Sequence, residues 1–231
     1  MAGKLRYYYG CMNSLKSGTL LTKAHQFKEA GCEVICLKPS FDTREKGVIH
    51  SRAISSSQPC YVFDKNKDLF KFIYSIMRQL LREGKDIYRV VVFVDEVSFI
   101  TKEQVQQLWK LTRCPYNVNV FTYGLKNTYQ NTLFESAEEL LIVADTVEEI
   151  KSMCSACTNK ATTHLRYVND KPVFTGEDCI VGDVAGEERY VSVCQECWHR
   201  VHNESHNVGI DVSDVESKTI NEPISSAQGG E

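Results

Sequence analysis

The run YRVVVFVDEV (88–97) constrains the fold more than any other stretch of the chain. Its valines and phenylalanine leave no polar face before the two acids, so a strand built from it must be covered on both sides. That is the situation of a central strand in a parallel α/β sheet. The flanking patterns agree. KLRYYY (4–9) is a β-prone run ending at Gly10, apolar residues at 20, 21, 24 and 27 follow helical spacing between Ser17 and Ala30, and EVICL (33–37) is a second strand. Strand, loop, helix and strand within about 35 residues make a βαβ unit. Further along, 58–63 and 117–125 read as strands, 67–83 and 102–113 as helices, and 135–143 as a short helix; the alternation ends near residue 150. The expectation is an α/β fold, with a P-loop parallel-sheet nucleotide-binding domain over 1–150 and a smaller unit after it.

Two features put chemistry on that frame. GCMNSLKS (10–17) has the outline of a phosphate loop, which runs Gly, four residues, Gly, Lys, then Ser or Thr. Such a loop works because its backbone N–H groups converge on an anion at a helix N-terminus. The phosphate-binding candidates are Gly10, Cys11, Met12, Asn13, Ser14, Leu15, Lys16 and Ser17, with Lys16 for the β- and γ-phosphates and Ser17 for Mg²⁺. Leu15 stands where the second glycine belongs. A positive φ there costs about 1–2 kcal/mol, tolerable if the side chain turns into the core. The other feature is Asp95-Glu96, at the strand end where open α/β sheets bind ligands. Asp95 suits Mg²⁺, directly or through water, and Glu96 suits removal of a proton from an attacking hydroxyl. A solvated pair of acids is the bland alternative, and the Lys16-Ser17 pair weighs against it.

Ten cysteines need an account. Cys11, Cys32, Cys36, Cys60, Cys114 and Cys179 are scattered, as small buried residues of a reducing compartment would be. Cys154/Cys157 and Cys194/Cys197 are two matched Cys-x2-Cys pairs, which suit a closed, structural Zn²⁺ site; a redox pair or disulfides fit the setting less well. The chain between them should form a loop or hairpin anchored by the metal. This gives a zinc-ribbon unit over 151–202, followed by a disordered acidic tail over 203–231 that is poor in large apolar residues. The net charge of -3 gives no reason to expect a nucleic-acid partner. No apolar run nears the roughly 20 residues of a membrane span, and MAGKLRYYYG lacks the apolar core of a signal peptide. A cytoplasmic protein is expected.

Together these pieces resemble the thymidine kinase type II family, in its bacterial and phage branch. The matching stretches are YYYGCMNSLKS, LKPSFDTR, VIHSRAIS, VDEVSF, YGLKNTYQNTLF and YVSVCQEC, in order across residues 4–200. The resemblance implies phosphorylation of thymidine by Mg²⁺·ATP for DNA precursor synthesis, a structural Zn²⁺, and a homotetramer. It assigns Glu96 as general base and Asp42, Thr43 and Arg44 to the family's D-T-R element, with Asp42 on the ATP side and Arg44 offsetting phosphoryl charge. Met12, Phe99, Leu125, Tyr129 and Phe134 fall where the family lines its nucleoside pocket; ordinary core packing is the alternative for each. Residues 158–193 correspond to the family's lasso over the nucleoside, with Tyr190 at its tyrosine position. The phosphate loop lies on a sheet that needs no metal, so loss of a zinc ligand is expected to weaken nucleoside binding more than ATP binding. The stretch VGDVAGEERY (181–190) is longer than its counterpart in the family, and three single-residue departures stand out: Leu15, Ser98 for a glutamine, and Thr128 for an acid. Together they keep open a catalytically silent nucleotide sensor, and the zinc unit keeps open a nucleic-acid binder.

Overall fold

A computed structural model describes residues 3–40, 47–51, 53–176 and 188–206. Strand β1 (Leu5–Tyr9), helix α1 (Lys16–Glu29) and strand β2 (Glu33–Pro39) form the opening unit. Next come β3 (Val48–Ser51), β4 (Ser56–Pro59), β5 (Tyr61–Phe63) and α2 (Leu69–Arg82), the last capped by Asp68, whose side chain accepts from the Lys71 N–H. The central strand β6 (Val90–Val94) is shorter than its apolar run, because single 3-10 turns at Ile87–Arg89 and Val97–Phe99 bracket it. Helix α3 (Lys102–Leu111) starts in a capping box between Thr101 and Gln104, and β7 (Asn119–Gly124), α4 (Glu135–Val143) and β8 (Thr146–Glu149) complete the unit.

The sheet runs β5-β2-β6-β7-β1-β8, every pair parallel. β6 is covered on both faces, as its composition requires. Val90, Val92 and Val94 join Leu5, Tyr7, Ile73, Leu108 and Leu140 in the core beneath α2, α3 and α4. Val91 and Phe93 face α1, where Phe93 stacks on Phe121 and Tyr8 on Tyr123, each pair with ring centroids 4.9 Å apart. The expected strand 58–63 is two elements. β4 pairs antiparallel with β3 and ends at Pro59, the Cys60 N–H turns back to the Gly47 carbonyl at 2.9 Å, and only Tyr61–Phe63 adds to the sheet.

The second unit is an antiparallel sheet, β10-β9-β11, built from β9 (Thr163–Val168), β10 (Lys171–Val173) and β11 (Glu188–Val193). Asn169 and Asp170, at φ 49° and 59°, make a two-residue turn whose twist matches the right-handed twist of the paired strands, as a tight hairpin needs. Helix α5 (Gln195–Ser205) packs Trp198 and Val201 against Leu165, Tyr167 and Phe174. It runs past the expected start of the tail at 203, because Trp198, His202 and His206 stack in sequence along it beside Phe174. Residues 207–231 lie outside the described residues. No helix among the described residues is long and apolar enough to cross a membrane.

Candidate active site

The loop from Gly10 to Ser17 sits between the C-terminal end of β1 and the start of α1. A Cβ on Gly10 would collide with the Ser14 hydroxyl and lie 2.5 Å from the Ile150 carbonyl, so only glycine fits. Asn13 and Leu15 are both left-handed, at φ 59° and 66°. Backbone of this kind makes the concave nest that binds anions. Leu15 therefore takes the glycine-like conformation, but its side chain does not enter the core. It is 53% exposed, because at this helix cap the left-handed backbone carries the side chain outward. Lys16 is buried, and its Nζ donates to the Cys11 carbonyl at 2.7 Å, which braces the loop.

The two acids at the end of β6 part company. Asp95 is buried and accepts from the Ser17 hydroxyl at 2.9 Å, while its Oδ1 has no hydrogen-bond partner. Burial, then the neighbouring charge of Glu96, pushes the Asp95 carboxyl up to about 7. A buried, unsatisfied carboxylate oxygen beside a hydroxyl is the oxygen donor set that Mg²⁺ uses, so the residues fit that ion. Glu96 is half-buried and left-handed, with φ 50°. Strained backbone of this kind persists where the surroundings hold it, often at working sites. Ser98 accepts the Leu125 N–H at 2.6 Å and so ties the turn after β6 to the end of β7.

The hairpin of the second unit reaches directly into the loop from Gly10 to Ser17. The Met12 N–H donates to His164 Nε2 at 2.8 Å, and the Ser192 hydroxyl donates to the Met12 carbonyl at 2.9 Å. His164 and Ser192 are cross-strand partners on β9 and β11. Burial, then the charge of Lys16, pushes the His164 imidazole down to about 3, so it is neutral and free to accept. Neither residue was expected from the sequence. The alternation of β9 was the available signal: Leu165 and Tyr167 belong to the hairpin's own core, which turns His164 and Arg166 to the other face. Arg166 forms a buried ion pair with Glu188 at 2.5 Å and donates to the Tyr129 hydroxyl at 3.3 Å, while the Tyr190 hydroxyl donates to Glu188 at 3.0 Å.

The expected nucleoside residues fall into three groups. Met12 and Tyr190 line one recess of about 330 Å³, with Asn13, Ser152, Met153 and Ser192. Tyr129 is buried against Tyr190, ring centroids 6.3 Å apart. Leu125 and Phe134 belong to the sheet core, with Phe99 packed edge-on to Phe134 at 5.9 Å, and none of these three lines the recess. Thr128 is buried in the turn that follows, where its hydroxyl meets that of Thr132 at 2.8 Å. Asp42, Thr43 and Arg44 lie outside the described residues, as does most of the stretch 181–190.

Cys154, Cys157, Cys194 and Cys197 converge, their sulfurs all within 4.8 Å of one another. A tetrahedral zinc with Zn–S bonds near 2.3 Å separates its sulfurs by about 3.8 Å, and Cys157 and Cys194 are 3.6 Å apart. The N–H groups of Ala156, Asn159 and Cys197 donate to the sulfurs of Cys154, Cys157 and Cys194, which favours thiolates. The quartet fits Zn²⁺.

The family model described as "Thymidine kinase" matches residues 3–198. A thymidine kinase of Streptococcus pyogenes serotype M3 is 36% identical over 192 residues, covering 83% of this chain and 95% of that protein. One from Streptococcus agalactiae serotype Ia is 35% identical over 193 residues, with the same coverage. Among solved structures, a DnaB-like replicative helicase aligns with 63% of this chain and 47% of its own at 16% identity and a TM-score of 0.42, too low to bear on fold or function.

Proposed function

The chain belongs to the thymidine kinase family, and on that footing we propose that it transfers the γ-phosphoryl group of ATP to the 5′-hydroxyl of thymidine. The observation that carries this reading is the Ser17–Asp95 hydrogen bond, which joins the phosphate loop to the acidic end of β6 and leaves Asp95 Oδ1 open. In the transfer, Glu96 takes the hydroxyl proton, the hydroxyl oxygen bonds to the γ-phosphorus, and the bond to the bridging oxygen breaks to release ADP. Lys16 and the loop N–H groups hold the phosphates, so the chain contributes positioning and electrostatics. Mg²⁺, held by Ser17 and Asp95, supplies charge neutralisation on the phosphates when bound. Arg44 and Asp42 keep the phosphate-side roles that the resemblance implies.

In this reading residues 1–150 are the kinase domain and 151–202 the lasso domain, tied at its base by structural Zn²⁺ on the four cysteines. The recess bearing Met12 and Tyr190 takes the nucleoside, with Tyr129 packed against Tyr190, while Phe99, Leu125 and Phe134 pack in the sheet core. The protein works in the cytoplasm, in DNA precursor synthesis, as a homotetramer. Apolar side chains left exposed on α4 and β8 (Leu141, Ile142 and Val147) support an assembly, which sedimentation tests. Leu15 holds the backbone conformation of the glycine it replaces, which supports an active rather than a silent loop.

The test is direct. Zinc-loaded protein given Mg²⁺·ATP and thymidine should release thymidine monophosphate. Glu96→Gln should lower turnover by on the order of 10²–10⁴, with ATP affinity intact. Nucleotide binding without any turnover would replace this reading with that of a silent sensor.

A further inference from the structure

The Met12 peptide is held at both of its polar ends by side chains some 150 residues and more away. His164 accepts its N–H and Ser192 donates to its carbonyl, with sequence separations of 152 and 180. The Cys11 thiol adds a weaker contact to the Thr163 carbonyl at 3.8 Å. His164 is 3% and Ser192 9% exposed, so water does not readily substitute for either. Both stand opposite each other in the strand pair that ends at Cys194, a member of the metal quartet. Met12 also lines the recess that Tyr190 of the same strand bounds. One peptide group thus joins the phosphate loop, the nucleoside side and the metal-tied hairpin.

We propose that His164 and Ser192 are positioning residues, which set the shape of the phosphate loop through the Met12 peptide and so make ATP affinity depend on the zinc-anchored hairpin. This deepens the kinase reading and rests on it for the identity of the phosphate donor. The chemistry is specific. A neutral imidazole with its proton on Nδ1 offers Nε2 as an acceptor, which an apolar side chain of similar size cannot do. Glutamine can place Oε1 near the same point. Removing the acceptor leaves the N–H of the half-buried Met12 without its partner, and the loop loses a contact that holds its present conformation.

The experiment uses the full zinc-loaded chain and reads Mg²⁺·ATP affinity by calorimetry, so it reports on the clamp even if thymidine turnover fails. His164→Leu should weaken ATP binding by about tenfold, the usual order for an orphaned buried donor. His164→Gln should restore affinity to within about twofold to threefold, and Ser192→Ala should weaken it severalfold. Stripping zinc from the wild type should also lower ATP affinity, and should add little once His164→Leu and Ser192→Ala are combined, since coupled sites are not additive. If His164→Leu does not fold, the Ser192→Ala arm and its response to zinc removal decide. Wild-type ATP affinity in Ser192→Ala, equal behaviour of the leucine and glutamine variants, or strictly additive effects of clamp and zinc would overturn the proposal. Loss of thymidine turnover in the wild type, with ATP affinity still responding to these variants, would count against the activity alone.

Discussion

Replacing His164 with glutamine should change how the stability of the fold depends on pH. The imidazole is 3% exposed, and burial followed by the charge of Lys16 lowers its pKa from the ordinary 6.5 to about 3. Below about pH 6.5 the unfolded chain therefore takes up a proton that the folded chain refuses until about pH 3. Stability falls with pH across that window, by up to about 1.4 kcal/mol per pH unit. From pH 7.5 to 5 the loss integrates to about 2 kcal/mol. Asp95 acts in the opposite sense. Its carboxyl is raised to about 7, so the folded chain keeps a proton that the unfolded chain has released, and stability falls as pH rises from about 3.8 towards 7. A wild-type profile alone mixes the two. The difference between wild type and His164→Gln cancels Asp95 and the thiolates and isolates the imidazole. Urea unfolding at both pH values, with zinc content checked, should show the variant gaining about 2 kcal/mol on the wild type as pH falls from 7.5 to 5. A gap that stays constant would refute the assignment of His164 as a buried neutral acceptor.

Other substitutions probe the remaining features. Leu15→Gly relieves about 1–2 kcal/mol of left-handed strain and adds about 0.5–1 kcal/mol of chain entropy, so Tm should hold or rise by about 2–4 °C; a fall would mean that the exposed leucine makes contacts of its own. Cys197→Ser should lower bound zinc from one per chain, by elemental analysis, and weaken ATP binding together with nucleoside binding. A loop independent of the metal would instead lose nucleoside binding alone, and full ATP affinity in metal-poor protein would establish that independence. Glu188→Gln breaks a pair whose side chains are 8% and 10% exposed, and should destabilise by about 3 kcal/mol. The half-exposed Lys160–Glu149 pair serves as control, with Glu149→Gln costing under about 1 kcal/mol by the same denaturation assay.

The legible parts of the chain are those where function is written into neighbours in sequence. An apolar run without a polar face demands cover on both sides, and β6 has it. Paired cysteines with two residues between them present two sulfurs on one turn, and the two turns meet. The break at Pro59–Cys60 had a signal in Pro59, which cannot donate to a ladder, but only the pairing of β4 with β3 shows that the two halves join different sheets. The direction of the Leu15 side chain depends on a backbone sign that composition does not carry. His164 and Ser192 were the hardest to see. Each is an ordinary polar residue in a strand, and its role arises only when the register of β9 and β11 places the two side by side over Met12.

The clamp on Met12 also sets an order of events for a growing chain. The phosphate loop is made early, but the groups that complete it lie 152 and 180 residues further on. At about 5–20 residues per second, the first helix and strands can assemble well before β9 and β11 emerge. Until then the Met12 peptide must find water or another partner, and the unfinished loop is a poor site for nucleotide. If the clamp acts as proposed, the loop of a nascent chain gains its nucleotide affinity only once β9 and β11 have joined it. On that proposal a chain cut upstream of residue 192 would bind nucleotide weakly, whereas an independent loop would bind it at full strength.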